Sequence, residues 1–216
     1  MLYRCILFDL DGTLTDPKEG ITKSIQYALS SLGIEERDPD ALCAFIGPPL
    51  QRVFAESYGM NSKETEKAIS KYRERFSAEG IFENEVYPGV DEMLASLKAD
   101  GACICLATSK PTVYAERILD HFGLSRHFDQ VVGSELDGTR SAKTDVVREV
   151  LSRLEWVDLA DCVMVGDRGH DAEGAKACGI DAVGVLYGYG SREELVESGA
   201  KLVVGTVNEL GDLLRS

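Results

Sequence analysis

Six short, almost unbroken apolar runs punctuate the chain, at 5–8, 102–107, 130–132, 162–165, 182–186 and 202–204. A strand with one face in water alternates apolar and polar residues, whereas a strand covered on both faces reads as a continuous run. The runs therefore predict a parallel sheet clad by helices on both sides. The segments between them supply the helices. Val113, Arg117, Leu119 and His121 fall in one, behind Pro111, a residue suited to a first helical turn. Val146, Val147, Val150, Leu151 and Leu154 form a stripe in another. Strand alternating with helix, joined by right-handed crossovers, predicts an α/β fold with a doubly wound, Rossmann-like core.

The stretch 17–85 breaks this rhythm. Ile21, Ile25, Ala28, Leu29 and Leu32 recur at helical spacing, and Gly33 suits a helix stop. Ala68, Ile69, Tyr72 and Phe76 make a second stripe, and 51–58 reads as a shorter helix after the Gly47-Pro48-Pro49 turn. A small all-helical domain at 17–85 is expected, inserted after the first strand into a core formed by 1–16 and 86–216. Asp16-Pro17 and Tyr87-Pro88-Gly89 are turn-forming and mark the expected hinges of a mobile lid.

Charge and cysteine usage narrow the function. The net charge is −14, which argues against non-specific binding to nucleic acid or anionic membrane. An anionic substrate would need local cations: a metal, a few Lys or Arg, or helix N-termini. No apolar run approaches a membrane span, and Arg4 and Asp9 interrupt the short apolar start, unlike a signal peptide. None of the six cysteines forms C-x-x-C. Cys5, Cys103, Cys105 and Cys162 lie in or beside the apolar runs and read as buried, reduced thiols. Cys103 and Cys105 could pair on a metal, but no further ligand cluster is visible to complete the set. A reducing cytoplasm is the expected home.

The first apolar run ends on Asp9-Leu10-Asp11-Gly12-Thr13. Two carboxylates thus stand where a strand gives way to a loop, the edge at which open α/β sheets bind ligands. Such a pair can hold a divalent cation, and one member can attack an electrophile. A calcium hand is excluded, because its twelfth loop position would be Gly20 where Glu is required. Thr108 follows the second run and offers a hydroxyl beside the helix start at Pro111, a combination suited to phosphate. Lys143 precedes a helix. Asp167 and Asp171 follow the fourth run, four residues apart at a strand-to-helix turn. Glu135-Leu136-Asp137-Gly138-Thr139 nearly repeats the first motif, but it stands off its strand and reads as a loop delivering Lys143.

This ordered set resembles the haloacid dehalogenase-like hydrolase superfamily. The helical insert, Phe45-Ile46-Gly47-Pro48-Pro49-Leu50 and Gly184-Val185-Leu186-Tyr187-Gly188-Tyr189-Gly190 resemble its phosphoglycolate phosphatase-like subgroup, some of whose relatives act on nucleoside monophosphates. The resemblance implies a phosphatase of small-molecule phosphate monoesters. Asp9 would be the nucleophile that forms an aspartyl-phosphate. Asp11 would be the acid and base, its pKa raised by neighbouring carboxylates. Mg²⁺ would sit on the Asp9 carboxylate, the Asp11 main-chain carbonyl and the Asp167 carboxylate, with Asp171 in support. Thr108, Ser109 and Lys143 would hold the phosphoryl group, and Gly47 and Arg52 the rest of the substrate. A hexose-phosphate mutase and an inorganic pyrophosphatase share this chemistry. A phosphonate hydrolase would need a Schiff-base lysine, for which Lys18 and Lys23 are available. The reading from another class is a non-catalytic phosphate-binding domain. Tyr187 to Gly190 contains G-x-G without a third glycine, so its glycines are expected to serve a tight turn, not a dinucleotide.

Overall fold

The computed structural model describes residues 2–154 and 156–216. In chain order its elements are β1 (Cys5–Phe8), β2 (Thr15–Asp16), α1 (Lys18–Ser30), α2 (Leu50–Arg52), α3 (Ser62–Arg75), β3 (Glu85–Val86), α4 (Val90–Ala99), β4 (Cys103–Pro111), α5 (Thr112–His121), β5 (Gln130–Ser134), α6 (Lys143–Ser152), β6 (Cys162–Gly166), α7 (Gly169–Ala177), β7 (Asp181–Val185), α8 (Arg192–Glu197), β8 (Leu202–Val204) and α9 (Val207–Arg215). They divide into two compact units, Met1–Asp16 with Val86–Ser216, and Pro17–Glu85.

The first unit carries a six-stranded parallel sheet in the order β5-β4-β1-β6-β7-β8. Numbered by those six strands alone, the order is 3-2-1-4-5-6, that of dinucleotide-binding sheets. Every residue of β1 and β6 is buried, which is why neither run alternates. On one face Cys5, Leu7, Cys105, Ala107 and Met164 pack against Val146, Val147 and Val150 of α6 and Ala172 and Ala175 of α7. Each fully buried aliphatic side chain there contributes about 1.5–3 kcal/mol.

The helix expected after Pro111 is α5, whose buried stripe is Tyr114, Ala115, Ile118 and Leu119, while Val113 is 44% exposed. Val113, Arg117 and His121 recur every four residues and trace the outer face. Strand β4 also outlasts its apolar run and reaches Pro111, with a shift of register against β5 between Ala107 and Pro111. Such irregularities re-aim side chains at a sheet's rim.

In the second unit α1 packs on α3. Ile21, Ile25, Ala28 and Leu29 are buried from α1, and Ala68, Ile69 and Tyr72 from α3. Gly33 takes the left-handed conformation (φ 78°) just after α1, as a helix stop requires. Asn61 and Glu64 close a reciprocal cap at the start of α3. The helix expected over 51–58 is three residues of α-helix followed by a π-helical turn, Val53–Ser57.

Candidate active site

Strand ends deliver the acids. The Asp9 amide donates to the Val165 carbonyl at 2.9 Å, carrying the β1–β6 ladder one residue beyond Phe8. Asp167 follows the last residue of β6. The strand order reverses at β1 and β6, the place where such sheets bind ligands. Thr108 lies in the shifted tail of β4, and Lys143 is the first residue of α6. Asp9, Asp11, Thr108, Lys143, Asp167 and Asp171 are all buried.

Lys143 ties three segments together. Its Nζ lies 2.8 Å from Asp9 Oδ1 and 2.8 Å from Asp171 Oδ1, and it donates to the Ala107 carbonyl at 3.0 Å. An ammonium has three protons, and here each faces an acceptor. Burial by itself lowers the pKa of Lys143, yet the Asp171 and Asp9 carboxylates outweigh it and raise it overall. Burial likewise pushes Asp9 up, but the Lys143 ammonium, His170 and the Thr108 hydroxyl hold it below the ordinary carboxylate range. Asp171 also accepts from the Arg168 amide at 3.1 Å, capping α7. Its part in the structure is therefore to pair with Lys143 and to start a helix.

Asp11 is the opposite case. Its carboxyl is raised, chiefly by burial, with the Asp9 charge a smaller contribution and the Lys110 ammonium opposing. Neighbouring carboxylates were the expected cause; loss of water is the larger one. Lys110 Nζ lies 2.8 Å from Asp11 Oδ2. The sequence reading gave Lys110 no role. The available signal was its place two residues beyond Thr108, at the same strand end.

Asp167 is raised well above the ordinary value, by burial first and then by the charges of Asp171 and Asp9. Its Oδ2 accepts from the Tyr189 amide at 2.8 Å. A Cβ on Gly12 would stand 2.2 Å from that Oδ2, and Gly12 is left-handed (φ 81°). A Cβ on Gly188 would stand 2.2 Å from the Gly12 carbonyl and 2.5 Å from Asp167 Cβ. Gly12 and Gly188 therefore serve close approach of two loops to Asp167, since without a Cβ the backbone can lie against a buried carboxyl.

This donor set fits a hard divalent cation. Asp11 Oδ1 and Asp167 Oδ1 are buried oxygens without a hydrogen-bond partner, beside the Asp9 carboxylate. Oxygen-only donors and surplus negative charge are what Mg²⁺ requires. Among the described residues the compact carboxylate-containing donor group is Asp9, His170 and Asp171, but Lys143 already lies between its two carboxylates as the cation.

Thr108 Oγ1 accepts from the Lys110 amide at 3.2 Å, and the Ser109 carbonyl accepts from Ser134 at 2.8 Å. α5 starts where expected, with Pro111 as its N-cap. The strand runs through Pro111, and Thr112 Oγ1 is engaged with Gly133 and Ser134 of β5. Asp137 is exposed in a turn, accepting from the Thr139 amide at 2.8 Å. Gly47 and Arg52 belong to the helical unit. Gly47 is left-handed (φ 102°), and Arg52 bonds Glu56 Oε2 at 2.9 Å. Lys18 pairs with Asp40 at 2.6 Å and Lys23 with Glu19 and Glu83.

A family model described as haloacid dehalogenase-like hydrolase matches residues 6–185. The 5'-nucleotidase of Pseudomonas aeruginosa is 49% identical over 193 residues, which cover 89% of this chain and 87% of that protein. Tyrosine-protein kinase PtkA of Mycobacterium tuberculosis is 39% identical over 212 residues, 97% of this chain and 72% of that protein. The crystal structure of a predicted phosphatase from Clostridium acetobutylicum matches with a TM-score of 0.96 at 46% identity, covering 100% of this chain and 99% of that one.

Proposed function

Since the chain belongs to the haloacid dehalogenase-like hydrolase family and is a phosphoric monoester hydrolase, we propose that it hydrolyses a nucleoside 5'-monophosphate through a phosphorylated Asp9. The observation that carries the chemistry is the split between two buried carboxyls two residues apart. Asp9 is held below the carboxylate range and Asp11 above it. Two acids pushed apart in this way can act as nucleophile and proton donor at one pH. The 5'-nucleotidase relative supports the nucleotide as substrate.

Asp9, ionised, attacks phosphorus, and the bond to the ester oxygen breaks. Asp11 donates its proton to that leaving oxygen, then takes one from the water that cleaves the acyl phosphate. Lys143 restrains Asp9 and balances the phosphoryl charge, with the Thr108 hydroxyl and the Ser109 backbone as further donors. The carboxylates of Asp9 and Asp167 and the Asp11 main-chain carbonyl, with Asp171 in support, would hold Mg²⁺, which would supply charge neutralisation at the phosphoryl oxygens. Recognition of the remaining part of the substrate is assigned to the helical unit, Gly47 and Arg52 included. Lys23 is raised by its bonds to Glu19 and Glu83, the reverse of what a Schiff-base lysine needs, and Lys18 is paired with Asp40.

Phosphate release with Mg²⁺ from nucleoside 5'-monophosphates, phosphoglycolate, hexose phosphates and pyrophosphate tests this reading. The expected result is the highest kcat/KM on a nucleotide. Turnover that depends on a sugar bisphosphate would make the protein a mutase, and a preference for pyrophosphate would make it a pyrophosphatase. Phosphate binding without release would make it a binding domain.

A further inference from the structure

At the amino edge of the sheet, opposite the acids, the fold assembles a second group of donors. The sequence presents Cys103 and Cys105 as a pair with no third partner. Parallel register supplies one, because Cys5 of β1 is the Cα partner of Cys103 of β4. The three sulfur atoms lie within 4.8 Å of one another, and the Cys103 and Cys105 sulfurs are 3.9 Å apart. Two sulfurs bound to one ion at about 2.3 Å, at a tetrahedral angle, lie about 3.8 Å apart. The spacing is thus already that of two ligands on a shared ion. Cys162, in register with Cys5 on the other side, touches the Cys5 thiol and donates to the Asp158 carbonyl at 3.4 Å, but it falls outside the group of three sulfurs that all lie within 4.8 Å of one another.

The compact donor group is therefore three sulfurs, with Val132, Val146 and Val150 around it and the Asp129 carboxylate beside Cys103 at its outer end. A structural zinc site takes four ligands. Soft sulfur donors select copper(I), which accepts fewer ligands. We propose that Cys5, Cys103 and Cys105 form a binding site for a soft monovalent metal ion of the copper(I) class. Cys103, 8% exposed, is the point of entry, since Cys5 and Cys105 are sealed. Ligating thiols release their protons to solvent, so affinity rises with pH.

Anaerobic titration of the full chain with Cu⁺ against a chromophoric chelator, with X-ray absorption at the copper edge, tests the site. One ion per chain in a sulfur-only shell is expected, retained in the Cys43→Ser/Cys178→Ser variant. Cys103→Val and Cys105→Ala, both apolar replacements checked for folding by circular dichroism, should each weaken binding tenfold or more. Failure to bind overturns the proposal. So does binding that survives in both folded variants, or binding lost with Cys43 and Cys178.

Discussion

Lys110 Nζ stands 2.8 Å from Oδ2 of Asp11, with both side chains almost closed to water. The ammonium opposes the burial that raises Asp11. Its removal in Lys110→Met should therefore raise the Asp11 pKa further. In the proposed mechanism the first chemical step needs Asp11 protonated, so the alkaline limb of kcat/KM reports its ionisation. The limb should move to higher pH in the variant. A profile of unchanged shape would show that Lys110 does not set the acidity of Asp11.

Lys143→Met should cost about 3–5 kcal/mol of stability, because Asp9 and Asp171 would be left as buried, uncompensated carboxylates. Turnover should fall on the order of 10²–10³-fold. Asp9 has a depressed folded-state pKa, so its contribution is present above its unfolded value and is lost as pH falls through the folded one. Urea melts should therefore show the gap between wild type and variant closing in acid. A constant gap would assign the cost to packing alone.

Asp167→Asn should stabilise the metal-free protein at neutral pH by roughly 1–3 kcal/mol, the scale of relieving an uncompensated buried group. Asp167 is raised, so its contribution is present below its unfolded value and is lost as pH rises through the folded one. The gain should vanish in acid. Mg²⁺ should stabilise the wild type by about 2.7 kcal/mol at a hundredfold excess over Kd, seen as a higher melting temperature, and leave the variant unmoved. An equal Mg²⁺ response in both would remove Asp167 from the metal set.

Asp9→Asn should abolish phosphate release, while Asp137→Asn in the near-repeat should retain it. Asp9 is buried against Lys143, and Asp137 lies exposed in a turn. Loss of activity in the Asp137 variant would overturn the choice of nucleophile.

Residue types and their periodicity were enough to identify the parallel sheet and the helical stretch after β1, and to name Asp9, Asp11 and Asp167 as candidate acids. Burial on both faces and loops at strand ends leave direct marks in a chain: unbroken apolar runs, then carboxylates beside glycine. What they could not carry is anything decided across the sheet. The order that seats β1 between β4 and β6 arises from crossovers far apart in sequence. That order brings Ala107, Asp9 and Asp171 to a single ammonium, and Cys5 to Cys103. The register shift after Ala107, with the Lys110 to Asp11 contact, depends on strand pairing that no local pattern encodes. The acidity of each carboxyl followed the same division. Its identity is local, but its pKa is set by how much water the packed neighbours exclude and which charge they leave beside it.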